Sequence, residues 1–190
     1  KKLIVTGCLV QRYGDELRAE IPEVDHFIGN GGYQEVAQAA LSDIANDVAL
    51  PELSFMHDAT SPRLNTFMPH SAYVKVSEGC NQKCAFCIIP KLRGLQRSRT
   101  IEDIVTEAQT RAARGVVELN RVAQDLTGYG TDLRPRQNLG ALLRALNEVD
   151  VPWIRLHYAY PRHFSDEFLD AFAGDRIVPY LDMPLQHIAD

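Results

Sequence analysis

Three of the chain's four cysteines, Cys80, Cys84 and Cys87, lie in one short stretch, Glu78-Gly79-Cys80-Asn81-Gln82-Lys83-Cys84-Ala85-Phe86-Cys87. The spacing is C-x3-C-x2-C. So short a peptide cannot hold its thiols far apart, and converging thiolates bind soft metal, either iron–sulfur or zinc. A closed structural zinc site takes four protein ligands, commonly as two separated pairs. Three cysteines around a four-iron cluster leave one iron without a protein thiolate, open to a small molecule. Two alternatives stay open: zinc completed by a distant ligand, and a redox pair from Cys84 and Cys87, which gives Cys80 no role.

The elements that position this loop follow from periodicity. Ala72-Tyr73-Val74-Lys75-Val76-Ser77 alternates as a strand and delivers the loop at its C-terminal end. Thr100 caps a helix striped by Ile101, Ile104, Val105, Ala108 and Ala112, with Asp103 placed for a capping box and Gly115 at the far end. A strand over 116–123 follows, then a helix from Asn138 striped by Leu139, Leu142, Leu143 and Leu146. Next come a strand over 153–158, a helix capped by Ser165 with Phe164 and Leu169 as its hydrophobic staple, and a strand over 177–181. Four strands alternating with helices from residue 72 predict a partial (β/α) barrel. In such barrels chemistry collects at the C-terminal strand ends. The cysteine loop, Gln124-Asp125, residues 158–161 and residues 182–186 all fall there.

Upstream, Leu3-Ile4-Val5-Thr6 reads as a buried strand entering Gly7-Cys8, followed by a helix over 11–20, a strand over 25–29 and a helix over 33–46 whose apolar face includes Ile44. That is part of a small parallel α/β layer. Periodicity vanishes over 47–70, where Pro51, Pro62 and Pro69 mark a linker. The expected division is therefore 1–46, a linker at 47–70, and the barrel segment at 71–190. The chain begins in a strand without methionine and stops after another, which reads as a fragment of a longer protein.

Composition narrows the class. Hydrophobic content of 45% and charged content of 24% are ordinary for a globular chain, and a net charge of −5 argues against wholesale nucleic-acid binding. No apolar run is long enough to cross a bilayer, and clustered cysteines do not make a disulfide framework, so a reducing cytoplasm is expected.

C-x3-C-x-F-C, as Cys80, Cys84, Phe86 and Cys87, resembles the cluster loop of the radical S-adenosylmethionine (SAM) enzymes. The resemblance implies a 4Fe-4S cluster on the three cysteines, its open iron chelating SAM, with Phe86 near the adenine. Further matches are Val5-Thr6-Gly7-Cys8, Cys87-Ile88-Ile89-Pro90, Arg93-Gly94, Ser98-Arg99, Tyr129-Gly130 and the stretch from Leu181 to His187. These are similar to the methylthiotransferases, whose N-terminal domain holds a second 4Fe-4S cluster. Cys8 matches the third ligand of that cluster, and the first two would lie upstream of Lys1. Ala123-Gln124-Asp125-Leu126-Thr127-Gly128-Tyr129-Gly130 resembles the branch that modifies an aspartate of a small-subunit ribosomal protein. The tRNA-modifying branch has asparagine where Asp125 stands. The implied chemistry is reductive cleavage of SAM, hydrogen abstraction from the substrate, sulfur delivery from the auxiliary cluster and methylation by a second SAM, with electrons from a flavodoxin-like or equivalent donor.

The individual residues carry plainer readings too. Cys8 could be a buried thiol packing as a small hydrophobe. Lys91, Arg93, Arg97 and Arg99 read equally as a solvated loop or as a rim meeting SAM's carboxylate or an acidic substrate. Gln124 and Asp125 sit where a SAM or substrate contact is expected, but Asp also ties turns. Asp182, Gln186 and His187 suit hydrogen bonding in support of a site. Gly29-Asn30-Gly31-Gly32 lacks a phosphate-loop motif. A non-catalytic, zinc-stabilised binding domain is the alternative from another class. Arg121 breaks the pattern: it falls inside a strand that should be apolar on its helix-covered face.

Overall fold

The computed structural model describes residues 1–43, 47–66 and 68–184, apart from the side chain of Arg162. Ile44, Leu185, Gln186 and His187 lie outside the described residues. Two compact units emerge, Lys1–Phe55 with Lys83–Gly94, and Met56–Gln82 with Leu95–Asp190.

The first unit holds strands β1 (Ile4–Thr6), β2 (His26–Ile28) and β3 (Asp47–Ala49) in one parallel sheet of order β1-β2-β3, with Val5, Phe27 and Val48 in register. Helices α1 (Cys8–Glu20) and α2 (Val36–Leu41) connect them, α2 preceded by a 3-10 turn at Tyr33–Glu35. Its core is Val10, Val24 and Phe27, with Val5, Leu17, Ile21 and Val48 packed against them. Three expectations change here. α1 begins at Cys8 rather than Gln11, so the thiol lies in the first helical turn. The helix expected to reach residue 46 ends at Leu41, because Ser42 is extended and its N–H caps Ala39 O. The stretch expected to open a linker at 47 starts with β3, whose register with β2 is set by backbone pairing that side-chain periodicity over three residues cannot reveal. The short helix α3 (Ile89–Arg93), which follows the last cysteine, also belongs to this unit.

The second unit is built on β4 (Ser71–Lys75), β7 (Glu118–Val122), β8 (Trp153–Leu156) and β9 (Ile177–Leu181), all parallel in the order β4-β7-β8-β9. A small antiparallel pair, β5 (Ser77–Glu78) and β6 (Arg97–Ser98), sits beyond β4. Crossovers run through α4 (Ile101–Ala113), α5 (Leu139–Asn147) and α6 (Asp166–Phe172). Strand neighbours in sequence order, each linked by a helix, are the βα repeat of a partial barrel. Thr100, Asn138 and Ser165 cap the three helices, accepting the N–H groups of Asp103, Ala141 and Phe168.

Register separates the two sheet faces. Ala72, Val74, Leu119, Ile154 and Leu156 join Ile104, Ala108, Leu142, Leu143 and Phe168 in one buried core under the helices. Tyr73, Asn120 and Arg155 share the opposite, polar face. Two details depart from expectation. Asp103 closes no capping box: its carboxylate accepts Ala59 N at 2.8 Å and Arg99 Nε at 2.6 Å instead. Phe164 stacks on Phe168 with ring centroids 5.1 Å apart, while Leu169 is 52% exposed, so the expected staple is replaced by an aromatic pair one position earlier.

Candidate metal centre

β4 and β5 carry the chain to Gly79, whose φ of 79° is a turn conformation that glycine adopts without strain, and Cys80 follows, buried. The loop is fastened by its polar side chains. Asn81 Oδ1 accepts Gln96 N at 3.0 Å, and Gln82 N donates to Cys80 Sγ at 3.4 Å. Gln82 Nε2 donates to Asp125 Oδ2 at 2.8 Å, and His163 Nε2 lies 2.9 Å from the same atom. In the first unit Cys87 N donates to Cys84 O at 3.1 Å, which folds those two cysteines into one tight turn. Cys84 is half-buried, Cys87 is exposed, and none of the four cysteines is in a disulfide. Phe86 stands 87% exposed.

Among the described residues no group of three or more His, Cys, Asp or Glu side chains is gathered closely enough for one metal ion.

Asp125 turns out to serve the protein itself. Its Oδ1 accepts Thr127 N, Thr127 Oγ1 and Gly128 N at 3.1, 2.7 and 3.3 Å, and its Oδ2 is taken by Gln82. The carboxylate thus ties the turn after β7 to the cysteine loop. Asp125→Ala strands four donors, so it is expected to cost about 2–4 kcal/mol of stability. It should also loosen the loop, read as faster alkylation of Cys80 alongside a lower urea midpoint. Asp125→Asn keeps an acceptor for the turn and should cost less than about 1 kcal/mol.

Arg99 is likewise engaged within the protein. Its guanidinium is buried, pairing with Asp103 Oδ2 and Glu107 Oε2, both at 2.6 Å, and donating to Lys75 O at 2.9 Å. Glu107 also holds Arg63 and Arg111. The arginine following Ser98 locks α4 onto the sheet because its fork can serve two carboxylates and a carbonyl at once. Tyr129 is structural too: its hydroxyl donates to Arg99 O at 2.7 Å, and burial raises its pKa. Asp182 lies 3.5 Å from His157 Nδ1, with Asn120 Oδ1 on the other ring nitrogen, and its backbone O accepts Ala159 N.

Gln124 fares differently. Its Oε1 is buried without a hydrogen-bond partner among the described residues, as are Ser77 Oγ and Gln96 Nε2. All three belong to the C-terminal end of the sheet: Ser77 follows β4, Gln124 follows β7, and Gln96 precedes β6. Buried polar atoms are normally bonded. A donor and an acceptor amide with a hydroxyl, left over beside a thiol loop, fit a polar ligand bound there. Ser77 and Gln96 were not legible as site residues: Ser77 read only as the end of an alternating strand, and Gln96 lies in no periodic or motif-bearing position. Cys8 lies in the first unit, its Sγ 3.3 Å from Asn30 Nδ2.

The model of the radical SAM superfamily matches residues 74–190. The chain belongs to the radical SAM superfamily. Its cysteine loop falls inside the matched region. The chain is 54% identical over 191 residues to the ribosomal protein uS12 methylthiotransferase RimO of Myxococcus xanthus, matching 100% of this chain and 40% of that protein. The namesake from Anaeromyxobacter sp. (strain Fw109-5) is 55% identical over 192 residues, with 100% and 41% covered. That of Acaryochloris marina is 48% identical, with 98% and 43% covered. The chain thus spans about two-fifths of the length of the curated relatives it matches. In fold, it is similar to the radical SAM methyltransferase TsrM of Kitasatospora setae, solved with tryptophan and a SAM analogue, at TM-score 0.70 and 14% identity over 99% of this chain and 42% of that one.

Proposed function

We propose that this chain is part of a radical SAM methylthiotransferase that adds a methylthio group to an aspartate of ribosomal protein uS12. The observation that carries the reading is that the C-x3-C-x2-C stretch is entered from β4 and β5 of a parallel βα sheet whose Ser77, Gln96 and Gln124 keep buried polar atoms with no partner among the described residues. Relatives at 54–55% identity bearing that name, over essentially all of this chain, supply the substrate class. Cys80, Cys84 and Cys87 would hold a 4Fe-4S cluster, which when bound supplies one-electron cleavage of SAM.

The chain's own residues do the rest. Gln124, Gln96 and Ser77 offer an acceptor, a donor and a hydroxyl for SAM's polar groups, and Phe86 offers an exposed aromatic face to the adenine. Gln82 and Asp125 keep the loop from splaying. Cys8 would be one thiolate donor of an auxiliary 4Fe-4S cluster. A flavodoxin-like or equivalent electron donor and a cytoplasmic setting complete the proposal, and no helix among the described residues is long and apolar enough to cross a membrane.

The test is mass spectrometry of both purified uS12 and tRNA after anaerobic incubation with SAM, reductant and the longer protein carrying every cluster ligand. Methylthiolation of the uS12 aspartate is expected. Modification of tRNA alone would reassign the substrate.

A further inference from the structure

The turn Gly29-Asn30-Gly31-Gly32 is packed more tightly than a surface connection requires. A Cβ at Gly29 would meet Gln11 Oε1 at 2.4 Å, and one at Gly31 would meet the backbone oxygens of Glu52 and Pro51 at 2.4 and 2.5 Å. Glycine on both sides lets the backbone approach this closely. What it seats is Asn30, only 7% exposed. Asn30 N donates to Gln11 Oε1 at 3.0 Å, which fixes its backbone against α1. Its side-chain Nδ2 donates both to Leu92 O at 2.8 Å and to Cys8 Sγ at 3.3 Å, and its Oδ1 lies 3.7 Å from the same sulfur. Leu92 is in α3, the helix that follows Cys84 and Cys87.

We infer that Asn30 is a positioning residue that ties the Cys8 thiol to the helix following Cys87, so that ordering one thiol site orders the other. The inference rests on the reading of Cys8, Cys84 and Cys87 as cluster thiolates. An N–H directed at such a sulfur also stabilises its charge. The glycine-rich turn thereby gains a purpose that its lack of a phosphate motif left open. One carboxamide answers to both sites because its two N–H groups point to different partners, a sulfur and a helix carbonyl. A tie of this kind is reciprocal: whatever disturbs Cys8 is felt in α3, and the reverse.

The test uses the intact chain and its Asn30→Leu variant, which keeps a comparable side chain but loses both donors. Each hydrogen bond of this type contributes about 1 kcal/mol, or roughly fivefold in a local opening equilibrium. Amide exchange at Lys91, Leu92 and Gly94, which bond to Ile88 O and Pro90 O, should speed up about fivefold. Alkylation of Cys8 by iodoacetamide should rise by a similar factor. Amides of Gly7 and Gly29, bonded to Ile28 O and Ala49 O, should keep their rates. The second arm needs no variant: wild-type chain already alkylated at Cys8 should exchange faster at 91–94. After anaerobic reconstitution, the electron paramagnetic resonance (EPR) spectrum of the reduced variant should differ from wild type. A uniform rise across the whole unit, or α3 exchange indifferent to Cys8 alkylation, overturns the tie. A wild-type chain that takes up no iron overturns the thiolate reading instead, and the exchange results then still decide whether Asn30 links the two segments.

Discussion

Replacing Arg121 with leucine is expected to stabilise the chain by roughly 3 kcal/mol, raising its thermal midpoint by about 9 °C. Arg121 is completely buried, between Val74 and Leu156 on neighbouring strands, and none of its three guanidinium nitrogens has a partner among the described residues. Glu107 is the carboxylate that favours its charge, but both Glu107 oxygens are engaged by Arg63, Arg99 and Arg111. Burial pushes the Arg121 pKa down to about 9 from 12.5, with Arg99 adding to the effect. A base whose pKa is lowered by folding destabilises the fold fully below its folded value, and the cost fades as pH climbs toward the unfolded value. The gain from Arg121→Leu should therefore be constant from pH 6 to 8 and shrink above about pH 9. Arg121→Lys should bring no comparable gain. Urea titrations of the three proteins across that pH range decide the matter; an unchanged or lower stability for Arg121→Leu means that the guanidinium has a partner worth keeping.

The second large effect is catalytic. Alanine at Cys80, Cys84 or Cys87 should each abolish iron uptake by the loop and reduce SAM cleavage, measured as 5′-deoxyadenosine, to the level of a reaction without protein. Two thiolates leave two irons of a four-iron cluster unanchored. Cys8→Ala should behave differently in the longer protein, keeping SAM cleavage while losing methylthiolation of uS12. Equal loss from all four substitutions would mean that Cys8 is needed for folding or for the SAM-cleaving site itself.

Much of this was legible in the residues. The helix stripes and caps from Thr100, Asn138 and Ser165 onward specify the βα repeat, because period and capping are local properties that tertiary structure leaves intact. The cysteine loop was legible as a family motif, since residue type and spacing are both local properties of the sequence, and the radical SAM match spans it. β3 was not, since three residues carry too little pattern. For Asp125 and Arg99 the sequence locates a charged residue at a strand end or rim but not the protein partner that engages it. For Asp125 that partner is Gln82, 43 positions away. For Arg99 it is Glu107, on the far side of a helical turn whose inward face periodicity did reveal. Gln96 and Ser77 stand out only in the fold, which buries their polar atoms without partners among the described residues. Arg121 was visible as an anomaly in sequence, and the fold makes it a sharper one.

The central claim is that three thiolates leave one iron open to SAM. The most direct measurement is EPR of the anaerobically reconstituted, dithionite-reduced chain, recorded without and with SAM. About four irons per chain and a reduced-cluster signal that changes on adding SAM are predicted. A signal indifferent to SAM, or a colourless protein carrying zinc in place of iron, would contradict it.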